Sequence, residues 1–304
     1  MKVLIPVEVA SDVSAAVKAA IARPWPSGTA FCLLHVVAPI YPPLLVPRVF
    51  EDSKIKILQQ LDRIAEPLKK AGWNVRTEAI EGSPRRSINT FAKEWRAELI
   101  MIGSHERSAL ARFCLGGTAQ SVMRHAPCSV EIVRQRGSGP ERHREWKILA
   151  ATDGSEFSAA ALRSVAARPW PEGSKLKVIS VPEFILAKDP SYLETHSLKG
   201  CEDLGEASMQ DAKKCIAGAK DILAGCRLAV IAELSVYEDR PYQVILHEAE
   251  SWHADLIVVG SHGRTGFDRV VMGSVSEAVA LHAKCSVEII RDAALALRER
   301  QHVA

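Results

Sequence analysis

The fold is decided by the stretch VGSHGRTGFDRVVMGS, residues 259–274. The apolar run at 256–259 is typical of a buried strand, and this strand is expected to end at Gly260. Ser274 then begins the run 275–283, whose pattern predicts a helix. The stretch therefore joins a strand to a helix through a glycine-containing loop.

Gly263 and Gly273 frame this loop. Glycine lets an anion approach the backbone closely, and a helix N-terminus offers unpaired N–H groups and the positive end of the helix dipole. The pattern therefore predicts a phosphate-binding loop. The alternative is an ordinary strand-to-helix connection with glycine at its tight turns.

The composition is typical of a globular protein and excludes few classes. The 304 residues are 47% hydrophobic and 25% charged, with a net charge of +3. The length predicts about two domains. The small net charge favours binding to neither nucleic acid nor a membrane. Because Pro6 and Glu8 interrupt the N-terminal apolar run, no signal peptide is expected and we expect a cytoplasmic protein. The seven cysteines lack metal-ligand spacing and are expected to be reduced thiols.

The chain contains an internal repeat. The motif Arg-Pro-Trp-Pro occurs at 23–26 and 168–171, and the block at 125–134 recurs almost unchanged at 282–291. The repeat predicts domains at 1–136 and 145–292, joined by a polar linker and followed by a tail at 293–304. The Arg-Pro-Trp-Pro motif is expected to end the first helix of each copy and to pack Trp25 and Trp170 beside the sheet.

Each copy alternates apolar strand runs with helical runs. The predicted strands of the first copy are 3–7, 30–37, 74–80, 99–102 and 129–134, and its predicted helices are 15–22, 51–71, 84–96 and 118–125. Strand runs that are buried on both faces and separated by helices favour a parallel sheet. The prediction is an α/β protein with two tandem Rossmann-like (flavodoxin-like) domains. Each is a five-stranded parallel doubly wound sheet with about four helices.

In such sheets, ligands bind beyond the carboxyl ends of the strands, where the winding reverses. We expect the first and fourth strands of each domain to lie side by side at this point. In the second copy these strands lead into the loops 152–155 and 260–263, and both loops contain glycine. The two loops are therefore expected to form one cleft.

The chain resembles a tandem universal stress protein over both halves. The family signature is a glycine, two residues, a glycine, nine residues, and a glycine followed by serine or threonine. It is matched by Gly260, Gly263, Gly273 and Ser274, and an acidic residue after the first strand is matched by Asp153. The resemblance implies an adenine nucleotide in that loop, usually ATP, with or without Mg²⁺. It also implies pairing of the two domains through their last strands.

The family pattern assigns the four signature residues to phosphate and ribose, Asp153 to the nucleoside side and Val181 to adenine. An aspartate can accept hydrogen bonds from ribose hydroxyls, and Ser274 can donate one to a phosphate oxygen. The alternatives are a turn residue at Asp153, a helix cap at Ser274 and a core residue at Val181.

His262 and Arg264 lie in the same loop and could neutralise phosphate charge. His105 and Arg107 occupy the same positions in the first copy. This recurrence argues against a role that requires nucleotide, so a solvated or capping role is the alternative.

The first copy departs from the signature. Glu8 replaces the aspartate, Val9 stands where Gly154 does, and Glu106 stands where Gly263 does. Since a carboxylate repels a triphosphate, the first motif is expected to be degenerate. One nucleotide per chain is therefore expected, in the second domain.

No catalytic motif accompanies the loop. The patterns GxxxxGK[ST], GxGxxG, GxSxG and HExxH are all missing from the sequence. We therefore expect no catalytic residue, no metal site and at most weak ATP hydrolysis. The expected function is that of an ATP-binding regulatory or stress-response protein. The alternatives are a nucleotide-independent protein-interaction module and a slow ATPase.

The last strand of each copy is predicted to lie at a sheet edge. Its alternation places four apolar residues on one face, namely Val130, Ile132, Val287 and Ile289. This pattern favours intramolecular pairing of the two domains. A homodimer and an unknown protein partner remain open. The segment 182–203, where the second copy is longer, is either a lid over the adenine side or a surface insertion.

Overall fold

A computed structural model describes residues 1–9, 14–23, 25–38, 47–104, 115–134, 145–182, 198–236, 239–263 and 272–292. The linker, the tail and most of the segment predicted to be a lid or an insertion lie outside these ranges. Among the helices of the described ranges, none combines the length and apolar character that a membrane-spanning helix requires.

The first half alternates strands and helices close to the predicted positions. Its elements are β1 (Lys2–Pro6), α1 (Ala15–Ala22), β2 (Ala30–Val37), α2 (Pro47–Lys70), β3 (Asn74–Glu81), α3 (Pro84–Trp95), β4 (Leu99–Gly103), α4 (Gly117–His125) and β5 (Ser129–Val133). The largest difference from the prediction is the start of α2, which lies about one turn earlier than expected.

The second half repeats this order. Its elements are β6 (Lys147–Ala151), α5 (Glu156–Ala166), β7 (Lys175–Ser180), α6 (Leu198–Ile222), β8 (Ala229–Leu234), α7 (Pro241–Ser251), β9 (Leu256–Gly260), α8 (Ser274–His282) and β10 (Ser286–Ile290). The glycine loop therefore connects β9 to α8, as the sequence predicted.

The strands form one ten-stranded sheet with the order β3-β2-β1-β4-β5-β10-β9-β6-β7-β8. Each half has its first strand beside its fourth, as expected, and all its strands are parallel. The order 3-2-1-4-5 is that of the Rossmann sheet without its sixth strand, whereas flavodoxin has the order 2-1-3-4-5. The predicted tandem Rossmann-like α/β fold is confirmed.

Helices cover both faces of this sheet. On one face, α1 and α2 pack over the first half and α5 and α6 over the second, each pair around its own apolar cluster. On the other face a single cluster crosses both halves and includes Leu4 and Ile132 from the first and Leu149 and Ile289 from the second. The two halves therefore share a continuous core.

The halves meet where β5 and β10 pair antiparallel. Val287 lies opposite Ile132 and Ile289 opposite Val130, and all four side chains are buried. The expected intramolecular pairing of the last strands is present in this structure. The same register places Glu131 directly opposite Glu288, and both glutamates are fully buried.

The Arg-Pro-Trp-Pro motifs supply the charges that these glutamates require. Arg23 donates two hydrogen bonds to Glu131, at 2.7 and 2.8 Å, and Arg168 makes the equivalent bidentate contact with Glu288. Trp25 and Trp170 pack beside the sheet as expected, with the Arg23 guanidinium 5.4 and 5.7 Å from their ring centroids. The motif is therefore part of the interface between the halves as well as the end of a helix.

Candidate functional site

The loop between β6 and α5 positions Asp153 at the carboxyl edge of the sheet. Its Oδ1 accepts hydrogen bonds from the backbone N–H of Ser155 at 3.0 Å and from Ser155 Oγ at 2.6 Å. Ser155 in turn caps α5, because its Oγ accepts a hydrogen bond from the N–H of Ser158. Gly154 adopts a φ of 79°, which glycine tolerates without strain. The side chain of Asp153 is thus held in place by its own loop.

Gly260 lies where α5 crosses β9 closely. A Cβ at this position would lie 2.7 Å from the carbonyl carbon of Phe157. Since that contact is with backbone, a side chain there would force the helix away from the strand. Gly260 therefore allows close packing of helix on strand, a role that glycines have in other phosphate-binding folds.

Gly263 lies against Asp153. A Cβ at this position would lie 2.9 Å from Asp153 Oδ2. The first and fourth strands of the second half therefore bring their loops into contact.

Gly273 closes the glycine loop. Its N–H donates to the carbonyl of Ser261 at 2.9 Å, and a Cβ there would lie 3.3 Å from the Cα of His262. The two ends of the loop are thus tied together, while residues 264–271 between them lie outside the described ranges. Arg264 is one of these residues.

Within the described ranges, no side chain caps the N-terminus of α8. Gly273 is the N-cap residue and provides no capping side chain, whereas α5 is capped by Ser155. Ser274, the first residue of the helix, is exposed, and Ser276 Oγ donates to the carbonyl of Gly260 at 2.5 Å. An uncapped helix N-terminus with a glycine before it favours an anion.

His262 is held by packing. Its Nδ1 lies 3.0 Å from Ser261 Oγ, and its ring lies 5.0 Å from the ring of Phe157 between centroids. These contacts fix the imidazole beside α5. Val181, which directly follows β7 at the same edge of the sheet, is half-buried and packs against the core.

A cleft of about 330 Å³ lies beside Asp153, between its loop and α6. Helix α6 lines it with the small residues Gly218 and Ala219 and with larger or charged ones, among them Asp211 and Lys214. This volume is at the lower end of the range for small-molecule pockets. The cleft therefore adjoins Asp153 on its α6 side, and none of the described residues of the glycine loop lines it.

The first half differs at the equivalent positions. Glu8 is exposed and Val9 is half-buried against the core, while Glu106 lies outside the described ranges. At Gly117, the first residue of α4, a Cβ would lie 2.7 Å from an Arg85 guanidinium nitrogen. The helix N-terminus equivalent to that of α8 is therefore approached by a cation.

Sequence reasoning missed two residues of this site. Ser155 holds Asp153, and Phe157 packs against Gly260. The Asp-x-Ser spacing is a signal for an Asx turn and could have identified Ser155. Phe157 had no local signal, because its contact with Gly260 arises only when α5 packs on β9.

The fold and this cleft define a duplicated α/β protein with one intact glycine loop at the carboxyl edge of its sheet. The sequence model of the universal stress protein family matches residues 1–134 and 146–291, so the chain belongs to that family. A universal stress protein of Mycobacterium bovis is 29% identical over 271 residues, which cover 85% of this chain and 86% of the relative. One of Mycolicibacterium smegmatis is 26% identical over 305 residues, which cover 95% and 96%.

The fold is also similar to that of solved structures. A universal stress protein from Archaeoglobus fulgidus superposes with a TM-score of 0.63 at 18% identity, covering 95% of this chain and 96% of that one. The similarity extends over both halves, so the tandem arrangement of the two halves has a precedent in a crystal structure.

Proposed function

We propose that this protein binds one ATP per chain in its C-terminal half and acts as a nucleotide-dependent regulator in a stress response. The proposal is supported chiefly by one observation: Asp153 meets Gly263 beside the uncapped N-terminus of α8. A carboxylate that can accept from ribose and N–H groups that can donate to phosphate are thus adjacent.

Each residue has a defined task in this proposal. The first-turn N–H groups of α8 and the hydroxyl of Ser274 bind phosphate oxygens. Gly263 and Gly273 leave the backbone accessible, Asp153 orients the ribose, and Val181 borders the adenine. Mg²⁺ would offset part of the phosphate charge.

The N-terminal half is proposed not to bind nucleotide. Glu8 and Glu106 replace an aspartate and a glycine at the two loops that meet in the C-terminal half. The carboxylates of these two glutamates would repel a bound triphosphate. The N-terminal half is then a partner domain rather than a second binding site.

Calorimetric titration of Mg-ATP into nucleotide-stripped protein tests this proposal. We expect about one ATP per chain, with Asp153→Ala and Gly263→Glu each weakening binding by at least about tenfold, because each variant loses roughly 1.4 kcal/mol or more. Glu8→Ala, the matched change in the N-terminal half, should leave affinity and stoichiometry unchanged.

Two outcomes would contradict the proposal. If the wild-type protein does not bind ATP, the loop is architectural and a nucleotide-independent interaction module is favoured. If ATP hydrolysis persists after rigorous purification and is lost in Gly263→Glu, the protein is a slow ATPase rather than a purely binding regulator.

A further inference from the structure

Helix α8, whose N-terminus is the proposed phosphate site, is held at its other end by the N-terminal half. Arg134 directly follows β5, and its Nη2 donates to the carbonyls of Ala280 and Leu281, at 2.6 and 3.3 Å. These carbonyls belong to the last turn of α8, where a helix has unsatisfied acceptors and the negative end of its dipole. Arg134 therefore caps a helix of the other half.

The first turn of α8 also contacts the N-terminal half. Glu277 lies in this turn, and its carboxylate accepts a hydrogen bond from Arg124 Nε at 2.7 Å. The Arg124 side chain is 45% exposed and that of Glu277 is 19% exposed. A carboxylate in this turn would repel a phosphate at the helix N-terminus, and the guanidinium offsets that charge.

The repeat provides a matched counterpart. Arg291, which directly follows β10, donates to the carbonyls of Ala126, Met123 and Arg124, at 2.6, 2.8 and 3.0 Å. It therefore caps α4, the helix that follows the degenerate glycine motif. Burial lowers the pKa of Arg291, as it does that of Arg134, but both groups stay protonated at neutral pH.

We propose that Arg134 and Arg124 are positioning residues for the phosphate-binding turn of α8, so that the N-terminal half sets the nucleotide affinity of the C-terminal half. This inference rests on the proposed function. Arg134 fixes the position of the helix through its C-terminal carbonyls, and Arg124 neutralises Glu277 in the first turn of α8. The degenerate half thus has a role that needs no nucleotide of its own.

Parallel titrations of ATP and adenosine into Arg134→Met and Arg291→Met test the role of Arg134. We expect Arg134→Met to weaken ATP binding by at least about fivefold and to change adenosine affinity by less than about twofold, because only ATP has phosphates to contact the first turn of α8. Arg291→Met removes the equivalent cap from α4, the helix that carries Arg124, so it should weaken ATP binding less than Arg134→Met does and leave adenosine affinity unchanged. Arg134→Lys, which keeps the charge, should restore part of the ATP affinity.

A double-mutant cycle tests Arg124 with milder, partly exposed substitutions. Arg124→Gln should weaken ATP because Glu277 is then uncompensated, and adding Glu277→Gln should restore the affinity. The inference is overturned if Arg134→Met and Arg291→Met affect ATP equally, if ATP and adenosine weaken together, or if the cycle shows no coupling. A wild-type protein that does not bind ATP would instead refute the proposed function.

Discussion

At position 260 the missing side chain leaves room for the backbone of Phe157, whereas at position 263 it leaves room for a carboxylate. Gly273 has a third task, because its N–H closes the loop onto Ser261. The sequence correctly predicted the residues at which β9 ends and α8 begins. It could not distinguish the three tasks, because each depends on a neighbour from another element.

Gly260→Ala should reduce stability by about 1–3 kcal/mol, because the new methyl group overpacks against the α5 backbone. The matched change Gly103→Ala, at the end of β4, should alter stability by less than about 0.5 kcal/mol, since no atom of the described residues lies within 4 Å of a Cβ there. Urea unfolding of both variants provides the comparison. Equal losses of stability would show that the close approach of Phe157 is not the reason that position 260 requires glycine.

At the scale of elements, polar side chains connect β7, β8 and the residue after β8 to α7. Lys177 Nζ donates to Glu248 at 2.8 Å and contacts Glu233 at 2.6 Å, and Ser235 Oγ donates to Glu248 at 2.7 Å. Burial alone would raise the pKa of Glu248, but the hydrogen bonds from Lys177 and Ser235 outweigh it and lower the pKa. The ionised carboxylate is therefore favoured in the folded protein.

This lowered pKa predicts a defined pH dependence. The stabilisation is present above the unfolded pKa of about 4.3 and is lost as the pH falls through the lower folded value. Glu248→Gln should cost about 1–2 kcal/mol at pH 7 and lose less stability than the wild type on acidification from pH about 5 to 3. Glu250→Gln, in the exposed pair with Lys284, should change neither the stability at pH 7 nor its loss on acidification appreciably. Thermal unfolding across this range measures both, and identical slopes for wild type and Glu248→Gln would contradict the assignment.

At the scale of the whole molecule, the paired halves depend on four buried charges. Glu131 and Glu288 face each other across the antiparallel strands, and each half brings one arginine, Arg23 or Arg168, to neutralise its own glutamate. Burial raises the pKa of Glu131, while Arg23 opposes that shift. The interface therefore tolerates two opposed carboxylates only while both arginines are present.

Arg23→Met should destabilise the protein by about 3–5 kcal/mol, because it leaves a buried carboxylate unpaired. Without Arg23, the pKa of Glu131 in the folded protein should rise further. At low pH the buried carboxyl is then protonated and costs little, so the loss of stability should grow as the pH rises. Adding Glu131→Met should recover most of the stability. Arg163→Met, in the exposed pair with Glu156, should change stability by less than about 0.5 kcal/mol. Chemical denaturation at pH 6 and 8 tests these expectations, and a double variant as unstable as Arg23→Met would refute the pairing argument.

The sequence by itself determined the order of helices and strands, the parallel sheets, the position of the glycine loop and the pairing of the last strands. These follow from periodicities and spacings that are local along the chain, and the repeat doubled each signal. Only the tertiary structure decided the partners of Arg23 and Arg134, which lie 108 and 146 residues away in sequence. A charged residue carries no local mark of its partner: Arg23 meets Glu131 only when the first half folds, and Arg134 reaches α8 only when the two halves pair.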